Sequence, residues 1–207
     1  MATTDLFPSE PRLEQVHIQD ADVSYMRQFG LAQSAELIMQ NLISTVPWRA
    51  EKIVVWGKTY PQPRLIAWYG DPERSYTYSG IRLQPLPWTS VLLDIKSRVE
   101  AVIGSEFNSV LLNYYRDNRD SMGFHSDDEP ELGSQPTIAS ISLGQERTLI
   151  FKHKTAKPSK RSRLPLESGS LLLMSGETQR YWLHGIEKER QPCGPRVNLT
   201  FRRIFNQ

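Results

Sequence analysis

The residues best suited to chemistry are a histidine and an aspartate two positions apart, His125 and Asp127. In extended backbone, side chains at i and i+2 point to the same side, so this pair can hold one metal ion. For the third ligand we select His184, because it ends the aromatic, strand-like run Tyr181-Trp182-Leu183. Two histidines and one carboxylate form a facial triad, which leaves positions open on a non-haem Fe(II) for a co-substrate and O2.

A strand that suits such a site lies at residues 196–202, where polar and apolar side chains alternate. The period of two predicts a half-buried strand with Arg196, Asn198 and Arg202 on one face. Each guanidinium can clamp a carboxylate with paired hydrogen bonds, so two of them suit a small dicarboxylate. A metal triad beside this clamp points to 2-oxoglutarate as co-substrate. On pattern alone, the arginines also fit the surface of an edge strand.

Length and composition bound the class of protein. The chain has 207 residues, 39% hydrophobic and 23% charged, which suits one core and one domain. A formal net charge of +2 does not by itself indicate a nucleic-acid partner, and the single cysteine, Cys193, excludes an intramolecular disulfide. Without a long apolar run or a basic-then-apolar N-terminus, we expect a soluble monomer that is neither secreted nor membrane-bound. Its expected location is the cytoplasm, or the nucleus in a eukaryotic host.

The periodicity changes from helical to strand-like along the chain. Residues 1–30 predict an irregular lead-in and residues 31–207 a single catalytic domain. Two amphipathic helices are predicted, over 34–45 and from Thr89 or Ser90 to about Ile103. Strand-like runs follow at residues 137–143, 148–153, 163–166, 171–174, 180–184 and 196–204. This pattern predicts an α+β, mainly β fold: a double-stranded β-helix, or jelly roll, with the N-terminal helices packed outside.

The motifs, in this order, resemble the AlkB family of Fe(II)- and 2-oxoglutarate-dependent dioxygenases, especially its nucleic-acid-dealkylating branches. The resemblance covers roughly residues 52–205. Its most specific segments are Asn113-Tyr114-Tyr115, His125 to Pro130, Ser140 to Gly144, His184, and Pro195 to Arg202.

The resemblance implies a reaction and a set of ligands. The enzyme would demethylate 1-methyladenine and 3-methylcytosine in single- and double-stranded DNA, and in RNA as a further candidate, releasing formaldehyde, succinate and CO2. No side chain beyond the metal ligands need act as acid or base, because the iron and its co-substrate carry the chemistry. Fe(II) would be held by His125, Asp127 and His184, and 2-oxoglutarate by Asn113, Tyr115, Arg196, Asn198 and Arg202.

Substrate contacts follow from the same resemblance, in a recognition lid at about residues 50–82 and beside the metal. Tyr78 would stack on a flipped base and Tyr76 would lie near its phosphate, while Asp128 and Glu129 would attract the cationic ring. Three further residues are assigned to the substrate: Trp56 as an apolar wedge for duplex DNA, Arg64 as a support of the pocket, and Ser79 in the base-pocket segment. Trp56 equally fits a core position.

A basic segment adds to this interpretation, since six lysines and arginines fall within residues 152–163. Between two strands, it predicts a cationic hairpin that grips phosphates without reading sequence, with a solvated loop as the alternative. His153, within the segment, is expected to be solvated or to contact phosphate. Two other interpretations of the chain stay open: the same fold acting on a protein, lipid or small molecule, and a nucleic-acid-binding module without catalysis.

Overall fold

The secondary structure of the chain is taken from a computed structural model. It describes residues 12–55, 58–72, 76–78, 81–83 and 85–205, with the backbone alone for 53–55, 58–59, 76–78 and 81–83. The elements are β1 (Glu14–Val16), β2 (Asp22–Met26), α1 (Ala35–Thr45), β3 (Lys52–Val55), β4 (Lys58–Pro61), β5 (Leu65–Gly70), β6 (Tyr76–Tyr78), β7 (Ile81–Leu83), α2 (Ser90–Ile103), β8 (Ser109–Tyr115), β9 (Met122–His125), a 3₁₀ turn (Pro130–Leu132), β10 (Ile138–Gly144), β11 (Arg147–His153), β12 (Arg161–Leu166), β13 (Ser170–Ser175), α3 (Thr178–Tyr181), β14 (Trp182–Ile186) and β15 (Arg196–Arg202).

Two antiparallel sheets form the body of the fold. The seven-stranded major sheet has the order β1-β2-β13-β10-β15-β8-β5, and the four-stranded minor sheet has the order β12-β11-β14-β9. Two further strand pairs, β3-β4 and β6-β7, are separate two-stranded sheets. This mainly β, double-sheet architecture confirms the predicted fold class.

The two long helices pack on one face of the major sheet, and both were predicted. Ser34 caps α1 by accepting a hydrogen bond from the Leu37 amide, and Thr89 caps α2 in the same way. Gly104 ends α2 in the left-handed conformation, with φ of 73°. No helix among the described residues is long and apolar enough to cross a membrane. The helices and the sheet share one core, which includes Ile38, Met39, Leu42, Leu92, Ile95, Val99, Val197, Leu199 and Phe201.

Strand β15 has the predicted alternation but not the predicted half-burial. All seven of its residues are buried, because the strand lies between β10 and β8 and its polar face is covered by the minor sheet. Arg196, Asn198 and Arg202 are at most 7% exposed. The edge-strand alternative is therefore wrong, and these polar side chains line the space between the two sheets.

The expectation of an irregular lead-in over residues 1–30 is wrong for the part that forms β1 and β2. Strand β2 pairs with β13, with Tyr25 opposite Leu172, and β1 pairs with β2. Neither strand has a strong sequence signal, because each is short and gains its hydrogen bonds from a partner strand. The N-terminal segment is thus a structural part of the major sheet.

Two other expectations need correction. The run 180–184, predicted as strand, begins as the single helical turn α3, and the strand starts only at Trp182. The turn is closed by hydrogen bonds from the amides of Arg180 and Tyr181 to the Glu177 carbonyl. The predicted lid at about residues 50–82 is interrupted by β5, which pairs with β8 in the major sheet.

Gly144 gives a test of the packing between α1 and the major sheet. It has φ of 90°, and an added Cβ would collide with Met39 Sδ and lie 2.5 Å from the Pro195 carbonyl oxygen. We expect Gly144→Ala to lower the free energy of unfolding by roughly 2 kcal/mol or more, measured by urea denaturation. Gly30→Ala, where a Cβ has no neighbour within 4 Å, is the control. Equal unfolding midpoints for the two variants would contradict this account.

Candidate metal centre and co-substrate pocket

The three predicted metal ligands come together between the two sheets. His125 ends β9 and lies opposite His184 of β14, with 4.4 Å between the ring centroids. Asp127 lies in the loop after β9, and its carboxylate oxygens are 3.7 Å from His125 Nε2 and 3.9 Å from His184 Nε2. One ligand atom from each residue lies within 4.8 Å of the other two. This spacing suits coordination of a single ion.

Hydrogen bonds orient these ligands. His125 Nδ1 lies 3.0 Å from the Gly123 carbonyl oxygen, which can only accept, so Nδ1 carries the proton and Nε2 keeps its lone pair for a metal. The Asp127 amide donates to Gln179 Oε1 at 3.0 Å, and Arg202 Nη2 donates to Asp127 Oδ1 at 2.9 Å. Within the part of the chain that the structure describes, Asp127 Oδ2 is buried without a hydrogen-bond partner. That oxygen is therefore available to bind a cation.

The protonation states at neutral pH are those that a metal requires. Burial alone would raise the pKa of Asp127, but Arg202, through its charge and its hydrogen bond, and the neighbouring His125 and His184 lower it to about 2. Burial and the neighbouring His125 lower the pKa of His184 to about 3, against the opposing effect of Asp127. The carboxylate is thus charged and the His184 imidazole neutral, as coordination demands. Two imidazole nitrogens and one carboxylate oxygen fit Fe(II).

Arg196 is suited to bind a carboxylate at the far end of the same pocket. It is 2% exposed, and its Nη2 donates to Ser142 Oγ at 3.0 Å. Among the described residues, its Nε and Nη1 are buried without an acceptor. Burial lowers the pKa of this guanidinium and the charge of Arg147 lowers it further, against the opposing effect of Tyr115. A carboxylate-bearing ligand would satisfy both nitrogens.

The other predicted co-substrate residues lie in this pocket, although Arg202 is already engaged with Asp127. Asn113 Nδ2 lies 3.4 Å from Asn198 Oδ1, and Asn198 Nδ2 donates to Ser140 Oγ at 2.7 Å. The residues with proposed roles that line the pocket are Asn113, Tyr115, His125, His184, Arg196, Asn198 and Arg202. Two of the three metal ligands, His125 and His184, therefore share one cavity with the co-substrate residues, while the individual roles stay predictions.

The residues assigned to the substrate divide into two groups. Arg64 is 4% exposed and donates from Nε to Asn113 Oδ1 at 2.7 Å, so it supports the co-substrate side of the pocket. Asp128 is exposed and accepts hydrogen bonds from Ser126 Oγ and Lys154 Nζ, whereas Glu129 is partly buried with Oε2 unpartnered. Of the others, Trp56 and Ser79 lie outside the described residues, and Tyr76 and Tyr78 are described only as backbone of β6.

Several residues in and around the site were missed by sequence reasoning. Ser140 and Ser142 belong to a segment that carries the resemblance, but their role was missed: they hold Asn198 and Arg196. The signal was present in two hydroxyls at alternate positions of an otherwise apolar strand. Gln179, which orients Asp127, had no such signal, because it lies in a helical turn next to a run predicted as strand. His153 is 9% exposed, and its Nδ1 accepts from the Thr155 and Ala156 amides. The expectation of a solvated or phosphate-contacting His153 is therefore wrong.

The chain is similar to known proteins over most of its length. A family model described as "2OG-Fe(II) oxygenase superfamily" matches residues 22–202. The chain is 45% identical over 181 residues to alpha-ketoglutarate-dependent dioxygenase alkB homolog 3 of Mus musculus, covering 84% of this chain and 63% of that protein. It is 41% identical over 204 residues to DNA oxidative demethylase ALKBH2 of Homo sapiens, covering 94% and 78%. The chain thus spans slightly less than two thirds of the alkB homolog 3 relative.

A solved structure supports the fold independently. The structure of OsALKBH1 superposes with a TM-score of 0.63 at 19% identity, covering 91% of this chain and 99% of that one. At this identity, the likeness concerns the arrangement of strands and helices alone.

The buried, neutral His184 predicts a pH-dependent stability of the metal-free protein. Its pKa is about 3 in the fold against an ordinary 6.5, so below pH 6.5 the unfolded chain takes up a proton that the folded chain does not. The free energy of unfolding therefore falls with decreasing pH, with a His184 contribution approaching about 1.4 kcal/mol per pH unit between roughly pH 6 and 4. We expect His184→Gln to remove this slope in urea unfolding with a chelator present. The exposed His17→Gln should retain it, and parallel curves for both variants would refute the assignment.

Proposed function

This chain belongs to the 2OG-Fe(II) oxygenase superfamily, and from that membership we propose that it is an Fe(II)- and 2-oxoglutarate-dependent dioxygenase that removes methyl groups from alkylated nucleic-acid bases. The observation that carries the proposal is the close approach of His125, Asp127 and His184 to one another, beside a cavity that both histidines line together with the buried Arg196. The proposed lesions are 1-methyladenine and 3-methylcytosine. Their positive charge and impaired pairing make them cheaper to flip out of a duplex than intact bases.

The pocket gives 2-oxoglutarate a defined direction. Arg202 is hydrogen-bonded to the metal ligand Asp127, so it marks the end of the pocket nearest the metal. Arg196 lies on the same face of β15 at the opposite end, with Asn198 between them. We assign the carboxylate distal to the metal to Arg196 and the proximal one to the neighbourhood of Arg202. When bound, iron and 2-oxoglutarate supply the oxidation with O2, and succinate, CO2 and formaldehyde leave.

The chain's own residues position and shield the reactants. Asp127 and Arg202 neutralise each other's charge beside the metal, and the Gly123 carbonyl holds the His125 ring. Apolar side chains complete the pocket and exclude water, which strengthens the electrostatic contacts inside. They are Leu111, Met122, Leu149, Leu166, Leu172, Met174 and Ile186. No side chain in this set needs to transfer a proton.

The acidic residues after His125 support the assignment of a methylated, cationic base as the substrate. Glu129 lies two residues beyond Asp127, and its Oε2 is buried with no donor among the described residues, so it suits an exocyclic amine or a positive ring. Asp128 is held by Lys154 and Ser126 at the surface. DNA as the substrate is further supported by the 41% identity to a protein named DNA oxidative demethylase ALKBH2.

The basic segment forms a hairpin suited to phosphates. Strands β11 and β12 pair with Lys152 opposite Arg161, on the face away from the metal. Arg161 and Arg163 are exposed, and the Arg161 guanidinium lies 5.9 Å from the ring centroid of Phe124. Phe124 immediately precedes the ligand His125, so the cationic face extends to the strand that holds the metal. We propose that this face binds the phosphate backbone of the nucleic-acid strand.

The proposal also covers the type of nucleic-acid strand, the recognition lid, the oligomeric state and the cellular location. We propose that single-stranded and double-stranded DNA are both substrates, with RNA as a further one, and that Trp56 serves as the wedge in duplexes. The two hairpins β3-β4 and β6-β7 would form the recognition lid, without β5. The protein would act as a monomer in the cytoplasm, or in the nucleus of a eukaryotic host.

Product analysis tests the proposed function directly. With Fe(II) and 2-oxoglutarate, we expect formaldehyde and succinate in matching amounts from single- and double-stranded DNA and from RNA carrying one 1-methyladenine. Unmethylated oligonucleotide should give no formaldehyde. His184→Ala should abolish both products, whereas the exposed His17→Ala should not.

Two results would redirect the assignment. Succinate without formaldehyde from any oligonucleotide would favour a different substrate on the same fold. Absence of succinate under every condition, with oligonucleotide binding retained, would leave a binding module without catalysis.

Charge removal from the β11-β12 face should change how salt affects binding. Arg161→Ala combined with Arg163→Ala should weaken binding of a single-stranded oligonucleotide irrespective of its sequence. The slope of log affinity against log salt should flatten by about 1.4, because each phosphate that is no longer neutralised accounts for roughly 0.7. Arg98→Ala with Arg203→Ala, which changes the charge equally in α2 and just after β15, is the control. An unchanged slope in the hairpin variant would remove this face from the binding site.

A further inference from the structure

Arg147 is a fully buried cation that has no role in the proposed metal binding or base recognition. It begins β11 and is 1% exposed. Its guanidinium donates to three carbonyl oxygens, those of Asp117 at 3.4 Å, Asp120 at 2.9 Å and Glu187 at 2.6 Å. A charged side chain at such depth is costly unless it is well paired, so its position calls for an explanation beyond packing.

The three carbonyls lie on the segments that border both histidine-bearing strands. Asp117 and Asp120 belong to the loop between β8 and β9, and β9 ends in His125. Glu187 directly follows β14, which carries His184. One guanidinium therefore joins the segment before one metal-ligand strand to the segment after the other.

The same guanidinium contacts the co-substrate pocket through an aromatic ring. Arg147 Cζ lies 5.7 Å from the ring centroid of Tyr115, and Arg196 Cζ lies 5.1 Å from that centroid. Tyr115 is 1% exposed and is the cross-strand neighbour of Arg196. Both guanidiniums thus lie near the same buried ring. Attraction to its π-system holds both of them in place.

We propose that Arg147 is a positioning residue for 2-oxoglutarate: acting through Tyr115, it holds the Arg196 guanidinium in the orientation that binds the distal carboxylate. This inference rests on the proposed function, since it concerns the same co-substrate. Arg147 also adds a second positive charge at that end of the pocket. Its nearest carboxylate, that of Glu189, is 3.5 Å from Nε and 44% exposed, so solvent weakens the compensation.

Arg116 provides a matched control in the same loop. It forms a two-point pair with Asp120, through Nε at 2.8 Å and Nη2 at 2.9 Å, and its side chain is half exposed. It therefore stabilises the loop between β8 and β9. It is not among the cations that lie over Tyr115. Loss of Arg116 reports on the stability of the loop alone.

The experiment measures 2-oxoglutarate binding by calorimetry with Mn(II) in place of iron, so that no turnover or nucleic acid is needed. We expect Arg147→Met to weaken binding about tenfold or more, within the range for residues that orient a ligand-binding group. Arg116→Met should lower the melting temperature and leave the affinity unchanged. In turnover, Arg147→Met should raise KM for 2-oxoglutarate and leave kcat within about twofold.

The outcomes separate this inference from the proposed function. If the wild-type protein does not bind 2-oxoglutarate with Mn(II), the proposed function fails. If the wild-type protein binds and Arg147→Met binds equally well, the positioning role of Arg147 is overturned while the function stands. If Arg147→Met does not fold, Arg147→Lys decides, because lysine keeps the charge but lacks the planar fork that reaches three carbonyls. Weaker binding by Arg147→Lys supports the role, and equal binding overturns it.

Discussion

The ion pair between Asp127 and Arg202 is the interaction on which the site depends. Asp127 is 1% exposed, and a carboxylate at that depth costs several kcal/mol in forfeited hydration unless opposite charge compensates it. Arg202 supplies the charge at 2.9 Å through Asp127 Oδ1, which leaves Oδ2 for a metal. Arg202 ends β15, an inner strand of the major sheet, and it lies on the same buried polar face as Arg196 and Asn198.

A hydrogen-bonded path joins the metal centre to the hairpin formed by β11 and β12. Lys154, at the base of the hairpin, donates to Asp128 Oδ2 at 3.1 Å and to the Gln179 carbonyl at 2.8 Å. The Gln179 side chain in turn accepts from the Asp127 amide. His153 closes the turn beside Lys154 by accepting from two backbone amides. The element that would bind the nucleic-acid strand is therefore held at a fixed distance from the metal by short contacts.

Local patterns predicted those parts of the molecule that local physics determines. The ranges of both long helices, the cap of the second, the two faces of β15 and the spacing of His125 and Asp127 could all be predicted from neighbouring residues. Contacts between residues far apart in the sequence could not be predicted in this way. The commitment of Arg202 to Asp127 spans 75 positions, and the hydrogen bond from the Asp127 amide to Gln179 spans 52. Arg147 lay just outside the predicted strand 148–153 and received no role, because its acceptors lie 27 to 40 residues away.

The N-terminal strands have a consequence for the colloidal behaviour of the protein. Strand β2 covers the edge of β13, whose sequence Ser170-Leu-Leu-Leu-Met-Ser175 is apolar and carries no charge. A chain shortened to begin at α1 would leave that edge bare, with its backbone donors and acceptors open to any extended segment of another molecule. The first strands therefore shield β13 from intermolecular β-pairing, and their removal would expose an edge that favours self-association.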